Sequence, residues 1–137
     1  MAESRSANPP AAARPLSPHL QIYRWTWTMA MSIVHRITGL ALYAGTILLV
    51  WWLVAAAAGP GPYGVFRDVA GSWIGIIVLI GFTWALLHHA LGGLRFLVLD
   101  LGFAFGREAR FAWAKAILAA SVLLTIAVWL LVFFTWR

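Results

Sequence analysis

The chain has 137 residues, of which 63% are hydrophobic and only 10% charged, with a mean hydropathy of +0.86. A soluble domain of this size carries about a quarter charged residues, so the composition excludes one and points to a membrane protein. There is no cysteine, which excludes disulfides, thiol chemistry and iron–sulfur clusters held by this chain; the net charge of +6 reads as membrane topology rather than nucleic-acid binding.

Residues 1–28, beginning MAESRSANPPAAARPLSPHL, are rich in Pro, Ala and Ser and read as a surface segment unable to build its own core. Its basic residues run into prolines instead of a short apolar core with a cleavage site, so a signal peptide is not expected. Residues 29–137 read as an all-α transmembrane domain. A span needs roughly 20 apolar residues, and three runs qualify. They are predicted over about 29–58, ended by the breaker GPGPYG (Gly59 to Gly64), then about 72–99 and about 112–136. Tyr43, Thr46 and Thr83 read as packing residues, and Trp129, Phe133, Phe134 and Trp136 as lipid-facing or interfacial.

The basic residues set an orientation. Arg5, Arg14, Arg24, Arg36, Arg95, Arg107, Arg110 and Lys115 fall at the N terminus and around the loop after span two. Only Arg67 and Arg137 fall on the other side, which predicts a cytoplasmic or matrix N terminus and an outside C terminus.

The polar residues inside the spans gather in one half of the bilayer. His89 lies roughly 16 Å inside the end of span two, and His35 and Arg36 about 9–11 Å inside the start of span one, at 1.5 Å per residue. In SIVHRITG, Ser32, His35, Arg36 and Gly39 share a helical face. On span two, His89, Gly92, Gly93 and Phe96 share one face, while His88, Gly92, Arg95 and Leu99 share the next. An intramembrane histidine can simply hydrogen-bond between helices, paired glycines can only bring helices together, and an arginine can snorkel. A charge inside a span costs about 2.5–3.5 kcal/mol on insertion scales, however, so a cluster on two helices at one depth favours function. Imidazole is a metal ligand, the glycines would clear space for a flat macrocycle, and Arg95 would meet its carboxylates. Spacing alone leaves both His88 and His89 open as the ligand. The acids lie outside or at span ends, so no buried proton relay crosses the membrane, although Asp100 is placed to serve as a local proton source.

RPLSPHLQIYRW (Arg14 to Trp25), SIVHRITG and HALGGLRFLVLD (His89 to Asp100), in this order, resemble the cytochrome b membrane-anchor subunit of succinate dehydrogenase. The resemblance implies a bundle with a second small three-span anchor, on which a flavoprotein subunit and an iron–sulfur subunit dock. It implies a b-type haem held between the anchors and ubiquinone reduced near the inner surface. Its H-x-x-x-G-x-R pattern falls on His89, which makes His89 the axial ligand and the haem iron the metal. It implies that Ser32 and Arg36 line the quinone site, and that His35, Arg95, Gly92 and Gly93 lie around the haem and its propionates. Some members carry a histidine directly after that arginine, where this chain has Phe96. A hydroxyl and a guanidinium suit a quinone carbonyl that gains negative charge, and a six-coordinate haem needs a second nitrogen from a partner. The chain has no dehydrogenase site of its own, so it is expected to be part of an enzyme. The alternatives are a fumarate reductase anchor working with a low-potential quinone, or a structural membrane protein without a redox cofactor. The absence of an Arg/Ser-rich amphipathic presequence favours a bacterial inner membrane over a mitochondrial one.

Overall fold

The structure is a computed structural model and describes residues 24–103 and 106–135. Among these are four helices and no strand: α1 (Trp27–Ala58), α2 (Pro60–Ala70), α3 (Trp73–Asp100) and α4 (Arg107–Thr135). Three of them, α1, α3 and α4, are long and apolar enough to cross a membrane. Most of the predicted surface segment, residues 1–23, lies outside the described residues, as does Trp136.

The helix ends follow local chemistry. Thr26 caps α1, its Oγ1 accepting from the backbone N–H of Met29 at 3.4 Å. The breaker GPGPYG ends α1 where expected, and its residues from Pro60 onward are themselves helical: α2 starts at once. Gly59, at φ 104°, ends α1 in a conformation few other residues adopt, and Pro60 then occupies the first turn of α2. A proline there gives up only an N–H that has no helical partner, so it starts a helix where it would break an interior. Ser72 joins α2 to α3, donating to the Val69 carbonyl at 2.6 Å and accepting from Gly75 N–H at 3.1 Å. Gly75 is required in that corner, because a Cβ would overlap the Val69 and Ala70 carbonyls. Beyond α3, Gly102 at φ 88° turns the chain while its N–H donates to the Leu99 carbonyl at 2.9 Å. Helix α4 begins five residues before the expected span, since hydropathy marks the apolar part and Arg107–Arg110 continue the helix beyond it.

Small and polar residues line the contacts between the long helices. The buried positions are Met31, Thr38, Gly45 and Ala55 on α1, Ala85, His88 and Gly92 on α3, and Ala114, Ile117, Ser121 and Thr125 on α4. Such residues let helices approach where lipid offers no hydrophobic drive to associate. Phe82 of α3 fills the notch at Gly45, where a Cβ would overlap its ring. Large apolar side chains such as Ile37, Leu40, Ile47, Leu97 and Leu123 face outward, as a lipid-facing surface requires. Three side-chain readings change: Thr46, read as packing, is exposed and its hydroxyl donates to the Tyr43 carbonyl of its own helix. Tyr43, read as packing, is 77% exposed, and Trp129, read as lipid-facing, turns inward so that its Nε1 donates to Thr83 Oγ1 at 3.3 Å. A buried indole N–H needs an acceptor, and Thr83 supplies one.

Candidate functional site

Helices α1 and α3 bring His35 and His89 face to face. Their rings stack with centroids 4.0 Å apart and planes 5° from parallel. Glycines on the opposite helix make the approach possible. A Cβ on Gly39 would stand 2.9 Å from His89 Cε1, and one on Gly92 would stand 2.5 Å from His35 Nδ1. The clearance beside Gly92 is thus taken by His35, while Gly93 faces open space. Phe96 packs edge-on against His35, centroids 5.2 Å apart.

The hydrogen bonds fix the His89 tautomer. Its Nδ1 lies 3.1 Å from the backbone carbonyl of His35, and a carbonyl only accepts, so Nδ1 carries the hydrogen. The neutral ring then keeps its lone pair on Nε2, which makes no hydrogen bond among the described residues. A metal ligand held in this way presents a defined nitrogen in a defined direction.

His88, one residue earlier, points about 100° around the helix into the contact with α4. It is 1% exposed, its Nδ1 lies 3.2 Å from Ser121 Oγ, and Trp84 stacks on its ring at 5.3 Å. Ser121 gives its own hydrogen to the Leu118 carbonyl at 2.9 Å, so its oxygen accepts from His88. His88 therefore does what an intramembrane histidine does when it only ties helices together. Rotation of α3 separates two adjacent and chemically identical side chains into different environments.

The remaining predicted residues lie around this pair. Arg95 is half-buried, and its Nε is enclosed without a hydrogen-bond partner, as is Nδ1 of His35. Arg95 shares a small space with Arg110 and Trp113, while the one ion pair among the described residues, Arg67–Asp68, lies at the opposite end of the bundle. Neither Arg95 nor Arg110 pairs with a carboxylate among the described residues. Ser32 is half-buried and Arg36 exposed, and neither side chain makes a hydrogen bond among the described residues. The face predicted for Ser32, His35, Arg36 and Gly39 therefore divides: His35 and Gly39 turn to α3, and Arg36 turns out of the chain. Asp100 is the last residue of α3 and exposed, without an ion pair among the described residues.

Sequence reasoning missed three contributors: Thr38, Ser121 and Trp84. Each is a polar or amphipathic residue inside an apolar run, which was the available signal. Which of the many serines, threonines and tryptophans meets a histidine depends on helix rotation.

The family described as succinate dehydrogenase/fumarate reductase transmembrane subunit matches residues 10–128. The chain is 47% identical over 121 residues to the succinate dehydrogenase cytochrome b556 subunit of Paracoccus denitrificans, covering 88% of this chain and 92% of that one. It is 34% identical over 116 residues to the subunit of the same name from Rickettsia prowazekii (strain Madrid E), covering 85% and 90%. It is 39% identical over 94 residues to the mitochondrial succinate dehydrogenase cytochrome b560 subunit of Sus scrofa, covering 65% of this chain and 54% of that one. With a family match over most of its length and relatives this similar, the chain belongs to the succinate dehydrogenase/fumarate reductase transmembrane-subunit family, among the succinate dehydrogenase cytochrome b anchors.

Proposed function

We propose that this chain supplies, through His89, one axial nitrogen to a b-type haem and, through Ser32 and Arg36, part of the site where ubiquinone receives electrons from succinate oxidation. The observation that carries the reading is the Nδ1–H of His89 donating to the His35 carbonyl, which leaves Nε2 as the ring's free lone pair. The enclosed, unpartnered nitrogens of His35 and Arg95 fit the same group, since haem carboxylates would supply the acceptors they lack. Haem, when bound, supplies a one-electron couple; the chain supplies the ligand, its orientation and its charge environment.

Ser32 and Arg36 have no competing partner among the described residues, so a hydroxyl and a guanidinium are available to a quinone carbonyl. Arg36 would favour the carbonyl oxygen as it gains negative charge. Gly93 leaves room beside the ligand helix, and exposed Asp100 would deliver protons at the near surface. The second axial nitrogen comes in this reading from a second small anchor subunit, and flavoprotein and iron–sulfur subunits dock on the cytoplasmic side of a bacterial inner membrane. Eight of the ten basic residues fall at that end, which supports the orientation. The family also includes fumarate reductase subunits, and the names of the relatives favour the succinate-oxidising member.

The test is the reduced-minus-oxidised visible spectrum of the purified complex for wild type, His89→Ala and His88→Ala. Loss of the six-coordinate b-type signal in His89→Ala alone is the expected result. A normal spectrum in His89→Ala would reject the ligand assignment.

A further inference from the structure

Thr38 is 1% exposed, and its hydroxyl sits between two groups of the site just described. Its Oγ1 lies 2.9 Å from the His35 carbonyl and 3.4 Å from His89 Nδ1. The carbonyl only accepts, so it takes the hydroxyl hydrogen. The lone pairs of Oγ1 then face the same His89 N–H that donates to that carbonyl at 3.1 Å. The three groups close a triangle in which the imidazole N–H is shared and the shared carbonyl is itself held in place. A threonine bonded back to its own helix is ordinary in apolar segments, as at Thr46 and Thr83. Thr38 also meets a side chain of the neighbouring helix, as Thr83 does with Trp129, but its partner is the ring nitrogen of His89. Gly39, next in the chain, leaves the space into which that ring enters.

We infer that Thr38 is a positioning residue for the metal ligand: it holds the His89 ring with Nε2 presented and sets how strongly that nitrogen donates to iron. The inference rests on the reading of His89 as the haem ligand. Acceptors on the far nitrogen of a ligating imidazole fix its orientation and raise its basicity. A more basic ligand favours the ferric over the ferrous state, so removing an acceptor raises the midpoint potential. Thr38→Val keeps the shape and removes both hydroxyl bonds; Thr38→Ala removes them without the branched side chain; Thr38→Ser keeps the hydroxyl.

The experiment is a redox titration of the b-type absorbance in the purified whole complex, with haem content measured alongside, for these three variants, wild type and His89→Ala. Thr38→Val and Thr38→Ala should keep a six-coordinate spectrum, shift the midpoint potential upward and retain haem roughly tenfold less tightly. Thr38→Ser should behave as wild type. If Thr38→Val does not assemble, Thr38→Ala carries the comparison. Wild-type potential and retention in the variants without a hydroxyl, or a Thr38→Ser shift equal to theirs, overturns the inference. Failure of both Thr38→Val and Thr38→Ala to assemble makes Thr38 a residue of the fold and overturns it as well. A normal spectrum in His89→Ala sinks the ligand reading beneath it; loss of that spectrum beside unchanged Thr38 variants rejects the Thr38 inference alone.

Discussion

The two ends of the bundle are built differently. At the end formed by the start of α1, the end of α3 and the start of α4, side-chain polar groups bond between helices: His89 to α1, and His88 to α4. At the other end, around α2, the contacts open into an apolar cleft of about 940 Å³ whose lining includes Phe66, Leu79, Ile126 and Leu130, with Arg67 among them. There Arg67 pairs only with its sequence neighbour Asp68, and Ser72 bonds only to its own turn. One end is tied by directional bonds from His88 and His89 to the neighbouring helices. The other has, among the described residues, the single hydrogen bond of Trp129 to Thr83 between its long helices and otherwise relies on apolar contact, which lipid can replace at little cost. Directional interhelical bonds are thus concentrated around His88 and His89.

The largest test of this contrast is at the glycines. Gly39→Leu and Gly92→Leu drive a side chain into the His89 and His35 rings and should weaken haem retention by at least tenfold, about the loss seen when support of a metal ligand fails. Gly81→Leu, where a Cβ meets nothing within 4 Å, should leave retention unchanged. Haem content per complex reads both, and equal losses at all three sites would remove the distinction. Next comes Ser121→Ala, which strands the Nδ1–H of buried His88. It should lower stability by about 1–2 kcal/mol in thermal unfolding of the detergent-solubilised complex while the b-type spectrum persists. A lost spectrum there would mean that the His88 contact governs the ligand directly. Trp129→Phe removes one interhelical bond and should cost about 0.6 kcal/mol by the same measurement. Smallest of all, Ile126→Ala and Leu130→Ala only widen the cleft, and each should stay within about 0.5 kcal/mol of wild type. A penalty there as large as that of Ser121→Ala would show the far end to be as closely specified as the near one.

Much of the molecule is legible before any coordinates. Length and hydropathy determine three membrane helices, because backbone polar groups in hydrocarbon must be satisfied within each segment and few other solutions exist. The depth of His35, His88, His89 and Arg95 follows from counting residues at a fixed rise. The order of the motifs around those residues carries the family. Helix α2 was hidden because GPGPYG reads as a breaker, whereas Pro60 in a first turn begins a helix.

Only the tertiary structure decided which side chains meet. Ser32, His35, Arg36 and Gly39 share a helical face by periodicity, yet α3 covers His35 and Gly39 and leaves Arg36 exposed. His88 and His89 are adjacent and identical, and the rotation of α3 sends one to Ser121 and the other to the His35 carbonyl. The sequence by itself determined the spans, the depth of the polar groups and the inventory of candidate ligands. These depend on helix geometry and transfer from water to lipid, which act segment by segment. The direction of each imidazole, its tautomer and the part played by Thr38 depend on how one helix turns against another. That rotation is set by the notches at Gly39, Gly45 and Gly92 and by the groups that fill them.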